Sequence, residues 1–130
     1  MSYLCRKVPL EKLEGSKDFK NKWGFQCVAL IQGCSNAPLT REWVRGKKVL
    51  EAKSNEITPG TAIATFDEKG KYPNSARHAA IYLSHNSDGI WVYHQYAKGV
   101  NAGKVHKYFI RNKKGKKRTT MDASYYYVIE

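Results

Sequence analysis

Two apolar runs separated by a turn-rich segment constrain the fold most. His78-Ala79-Ala80-Ile81-Tyr82-Leu83 and Gly89-Ile90-Trp91-Val92-Tyr93-His94-Gln95 are rich in β-branched and aromatic side chains, and Ser84-His85-Asn86-Ser87-Asp88 between them favours a turn. The pair is predicted to close as an antiparallel hairpin. Thr61 to Phe66, entered from the turn Thr58-Pro59-Gly60, reads as a buried strand, and Val105 to Ile110 and Tyr125 to Ile129 read as two more. Asp67 to Asn74 is a polar connection, and Asn112 to Thr120 is expected to be a mobile basic loop.

Upstream of these strands the patterning is helical. Residues 1–22 form a polar arm with a short helix near Leu10 to Glu14, and the Gly24 turn leads into an apolar helix from Cys27 to about Gly33. Asn36 to Leu39 is a turn, after which Thr40 caps a short helix bearing Trp43 and Val44 that Gly46 closes. Helices first and strands afterwards, with no repeat, predict a single α+β domain over residues 1–130, its first helix packed on a mainly antiparallel sheet. At 130 residues with 42% apolar content the chain can bury a core without disulfides.

The cysteine count of three is odd, and Cys27 and Cys34 lie seven residues apart on one helical face. That is roughly 10 Å along the axis, too far for a disulfide, so a reducing compartment of synthesis is expected. No run approaches the length of about 20 apolar residues that a bilayer span requires, so no membrane insertion is expected. The N-terminal residues lack the apolar centre of a secretory signal. The formal charge is +12, with eight Lys or Arg and no acid from Lys104 to Arg118. Such a field draws polyanions and acidic partners and says little about fold.

Cys27 carries the chemical interest because it opens a helix, where unpaired N–H groups favour a thiolate. His78 opens a strand and can serve as its base. A third group must hold the imidazole's other nitrogen. With the hairpin centred near Asn86, positions 94 and 95 both fall opposite His78, so His94 and Gln95 remain alternatives that a one-residue change of register decides between. His85 and His106 read as ordinary surface residues. Two rival readings lack support in the pattern. A zinc on Cys27, His78 and His94 lacks close paired-ligand spacing. A nucleic-acid binder stacking bases on Trp91, Tyr93, Tyr108 or Tyr125 would draw on strand aromatics that more commonly pack a core.

The run Gly24-Phe25-Gln26-Cys27-Val28, then His78 to Leu83 and Ile90 to Tyr96, resembles the NlpC/P60 and CHAP peptidase superfamily. Ala37-Pro38-Leu39-Thr40-Arg41-Glu42-Trp43, Gly60 to Phe66 and Lys71-Tyr72-Pro73-Asn74 bring the similarity closer to the small amidase effectors of type VI secretion, in particular their third family. The resemblance implies a papain-like fold and a peptidoglycan amidase without cofactor or metal, with Cys27 as nucleophile, His78 as base and His94 as third residue. Where relatives typically have an aspartate before Gln-Trp, this chain has His94 before Gln95-Tyr96; the wider superfamily often uses histidine there. Further implications are export without a signal peptide, action in the target-cell periplasm and an acidic cognate immunity protein as partner.

Overall fold

The computed structural model describes residues 2–99 and 101–130. One α-helix, α1 (Cys27–Cys34), packs on a six-stranded sheet formed by β1 (Arg45–Lys48), β2 (Ala62–Thr65), β3 (Ala79–Asn86), β4 (Gly89–His94), β5 (His106–Arg111) and β6 (Tyr126–Ile129). The strand order is β1-β6-β2-β3-β4-β5 and every pairing is antiparallel. The expected α+β class and antiparallel sheet are therefore both present.

The centre of the sheet is buried on both faces, which explains why its strands read as continuous apolar runs rather than as alternations. Ala62, Ala64, Ala79 and Ile81 face one core with Leu30, Ile31 and Cys34 of α1. Ile63, Ala80, Tyr82, Ile90, Val92 and Val128 face a second core, covered by the 3-10 turns Val49–Glu51 and Ala123–Tyr125. Burying a large aliphatic side chain is worth about 1.5–3 kcal/mol, so two such layers make the middle strands a rigid platform for whatever their ends carry.

Several local expectations are corrected. The helix expected near Leu10 to Glu14 is one 3-10 turn, Leu10–Lys12. The helix expected after Thr40 is also a single 3-10 turn, Thr40–Glu42, and Trp43 is already extended. Gly46 does not close it but lies inside β1, where a Cβ would stand 2.8 Å from the Val128 carbonyl oxygen, so only glycine permits that approach. The hairpin strand β3 runs on to Asn86, leaving a tight turn at Ser87-Asp88. The basic loop is not free-standing: the buried Asp122 carboxylate accepts from the N–H of Lys113 and of Gly115, each at 2.9 Å. No helix among the described residues is long and apolar enough to cross a membrane.

Candidate functional site

The start of α1 is placed by a glycine-dependent turn. Asn21 and Gly24 exchange backbone hydrogen bonds of 2.9 and 3.0 Å, and Gly24 takes φ +102°, a region that favours glycine. The chain then enters α1 at Cys27 with no side-chain cap, which leaves first-turn N–H groups free for other acceptors. Gln95 completes the support. Its buried amide donates to the carbonyls of Phe19 and Gln26, both at 2.8 Å, and so ties the segment before the helix to the end of β4.

His78 is delivered by a turn at Ala76, which takes φ +51°. The buried Thr65 hydroxyl accepts from the His78 N–H at 3.0 Å and donates to the Ala76 carbonyl at 3.1 Å, locking both sides of that turn. Cys27 and His78 line one cavity of about 230 Å³ together with Tyr72, Arg77 and Tyr96. The thiol has the Tyr72 hydroxyl 3.9 Å away, and N–H groups of Ala79 and Val28 are directed at it.

The other imidazole nitrogen meets a chain of histidines. His78 Nε2 lies 2.9 Å from His94 Nδ1, His94 Nε2 lies 2.9 Å from His106 Nε2, and His106 Nδ1 lies 3.3 Å from the Lys104 carbonyl oxygen. A carbonyl can only accept, so the neutral chain has one direction. His106 carries its proton on Nδ1, His94 on Nε2 and His78 on Nε2. The Nδ1 of His78 is then the unprotonated nitrogen, the form a general base requires.

The sequence-derived alternatives are thus placed differently. His94 reaches His78, whereas Gln95 is committed to backbone carbonyls on the far side. The β3–β4 register pairs Ile81 with Tyr93, so carried three residues further it sets 78 opposite 96 rather than 94 or 95. The Tyr96 ring does stack on His78, at 4.9 Å between centroids, and His94 approaches diagonally. Neither His85 nor His106 is an ordinary surface residue. His85 bridges the Tyr82 hydroxyl and the Ala52 carbonyl, and His106 faces His94 across β4 and β5. Tyr72 and Arg77 were not picked out as site residues from the sequence either. Among the described residues no group of three or more His, Cys, Asp and Glu side chains is arranged to hold a metal ion.

Burial governs the protonation states. It pushes the Cys27 thiol above its ordinary pKa, against the N–H donors, the Tyr72 hydroxyl and the Arg77 charge, which all act the other way. Burial, with the nearby His106, lowers His78 to about 4; burial, with His78 and His106, lowers His94 to about 3. The resting pair is therefore a neutral thiol and a neutral imidazole, and the helix-start field does not outweigh desolvation. This has a consequence for stability. Unfolded histidines take up protons below about pH 6.5 while the folded ones resist until about 4 and 3. Stability present at pH 7 is therefore lost progressively as pH falls from 6.5 towards 3. Urea unfolding at pH 7 and pH 5 should differ by up to about 4 kcal/mol, about 2 for each histidine, and a His94→Asn variant should show roughly half that difference; equal differences would refute the assignment.

Fold and site together define a small α+β domain that sets a helix-start thiol and a strand-start imidazole around one cavity. The chain belongs to the Domesticated amidase effector 2 family, whose model it matches over residues 6–129. It is 40% identical over 88 residues to a type VI secretion amidase effector 2 protein of Salmonella typhi, covering 66% of this chain and 64% of that one. It is 42% identical over 97 residues to Domesticated amidase effector 2 of Ixodes scapularis, covering 67% and 66%. The chain thus spans just under two thirds of the length of these relatives. A solved type 6 secretion amidase effector 2 superposes with a TM-score of 0.79 at 31% identity, over 92% of this chain and 89% of the other. The resemblance to type VI amidase effectors holds, with the second family in place of the third.

Proposed function

We propose that this chain is a cysteine amidase that hydrolyses peptide bonds in peptidoglycan, working through a papain-like Cys27–His78 pair. The observation that carries the reading is the shared cavity of Cys27 and His78, with the far nitrogen of His78 held by His94. In that mechanism the neutral Nδ1 of His78 takes the thiol proton as sulfur attacks the amide carbonyl. Helix-start N–H groups and the Tyr72 hydroxyl, which burial keeps protonated, stabilise the oxyanion. His78 then protonates the leaving amine and activates water to release the acyl group. His94 and His106 act through His78 and are positioning residues.

An adjoining cleft of about 380 Å³ gives the peptide a place to lie. It shares Gln26, Val28, Tyr72 and Arg77 with the thiol cavity, adds Arg41, and includes no acid among its lining residues. Peptidoglycan stems bear free carboxylates, which two guanidinium groups suit. The family relationship also supports delivery by type VI secretion, an antibacterial role in the target periplasm, and an acidic immunity protein docking on the basic surface. The nucleic-acid alternative has less support, because Tyr108 lies flat on His94 at 5.1 Å and Tyr125 donates to Gly115.

The test is digestion of purified sacculi followed by mass spectrometry of the soluble muropeptides. Release of fragments with new peptide termini is expected. Those termini identify the bond, either the γ-D-glutamyl link or the D-alanyl crosslink, and an unaltered muropeptide profile would overturn the reading.

A further inference from the structure

The N-terminal arm reaches the far end of α1, away from the site described above. Leu4 bridges Thr61, and the Cys5 N–H donates to the Gly60 carbonyl at 2.8 Å. The next two residues, Arg6 and Lys7, both donate their N–H to the carbonyl of Cys34, at 2.9 and 3.1 Å. The chain therefore wraps around the last residue of α1 and brings Cys5 into the same core as Cys34, the proximity that a disulfide first requires. Both side chains sit in one hydrophobic core, 6% and 0% exposed, and each thiol is close enough to shift the other's acidity. All three cysteines are free thiols. Cys27, at the opposite end of the helix, is about 10 Å away along the axis and cannot compete.

We infer that Cys5 and Cys34 are an oxidation site, which forms an intramolecular disulfide when the protein meets a small-molecule disulfide such as oxidised glutathione. The contact with Cys34 lowers the Cys5 pKa, so Cys5 is the attacking thiolate. A cavity of about 280 Å³, whose lining includes Arg6, Lys7 and Cys34, opens on the Cys34 side of the pair and gives a small disulfide a route to it. Cys5 sulfur attacks one glutathione sulfur, the donor S–S bond breaks, and the first glutathione leaves as thiolate and is protonated. Cys34 loses its proton and attacks the Cys5 sulfur of the mixed disulfide, expelling the second glutathione. The two protein thiols are oxidised, the donor disulfide is reduced to two thiols, and the protons balance. The bond would pin the arm to the helix that carries Cys27, on passage from a reducing to an oxidising compartment. It does not depend on the amidase reading.

The experiment compares the intact protein in dithiothreitol and in oxidised glutathione. In the oxidised sample the thiol titre should fall from three to one, the intact mass should drop by two hydrogens, and peptide mapping should join Cys5 to Cys34. Closing a loop of that length should raise Tm by roughly 10 °C. Cys5→Ala and Cys34→Ala should each make Tm insensitive to the oxidant while retaining turnover in reducing buffer. A titre that stays at three, a stable glutathione adduct in place of the crosslink, or a bond to Cys27 would overturn the inference. These readouts come from the wild-type chain, so they decide the matter even if a variant does not fold.

Discussion

Replacing Cys27 by alanine is expected to lower turnover of sacculi by about 10⁴-fold or more. Among the residues lining the cavity, Cys27 alone bears a thiol, and the remaining groups supply orientation, charge and hydrogen bonds rather than a bond to carbon. Removal of a covalent nucleophile leaves only the residual acceleration that binding and an oxyanion site provide. The fold should not suffer. Cys27 is only partly buried at the edge of the first core, and a small substitution there should cost within about 1 kcal/mol. The variant should therefore show the wild-type melting curve and bind the same peptides. Turnover within tenfold of wild type by a properly folded Cys27→Ala protein would remove Cys27 from the mechanism.

How much of this was legible beforehand depended on where the information lay. The central strands announced themselves because burial on both faces writes a local apolar run, as at Ala62–Thr65 and Ala79–Tyr82. Edge strand β1 gave no such signal. Arg45-Gly46-Lys47-Lys48 alternates exposed and half-buried positions without an apolar residue, and it is held by pairing with β6 some eighty residues away. Cys27 and His78 were legible because each sits at an element boundary that the local sequence marks. The choice between His94 and Gln95 was not, since it depends on register and on a diagonal rather than directly opposed contact. His106 looked like one more polar residue of a basic strand. The signal that could have revealed it is the second hairpin, whose register pairs Gly89 with Arg111 and His94 with His106. Nothing local could place Cys5 beside Cys34, because that contact spans the arm and the whole of α1.

The three-histidine chain makes a second strong prediction. His94→Ala should reduce kcat by roughly 10²–10³-fold, within the 10²–10⁴ that a positioned general base such as His78 contributes, with KM changed little. With His94 gone, nothing fixes the His78 proton on Nε2, and Nδ1 is no longer reliably the free nitrogen. A merely structural role would lower active protein without altering its pH dependence, so the acid limb separates the two. In the wild type kcat/KM should rise with pH through about 4, where His78 loses its proton, and then level off. Truncating His94 admits water beside His78 and relieves the burial that depresses it, so the limb should move up towards the ordinary value near 6.5. His94→Asn retains an acceptor facing Nε2 and should recover activity to within about tenfold of wild type, as a hydrogen-bond role demands. His106→Ala removes only the group that orients His94, so its loss should be smaller, roughly tenfold, and in the same direction on the pH axis. If His106→Ala equals His94→Ala in size, the relay is wrong and His106 itself takes part in the chemistry. If both variants keep wild-type kcat and the limb near pH 4, the thiol is activated without this chain of imidazoles.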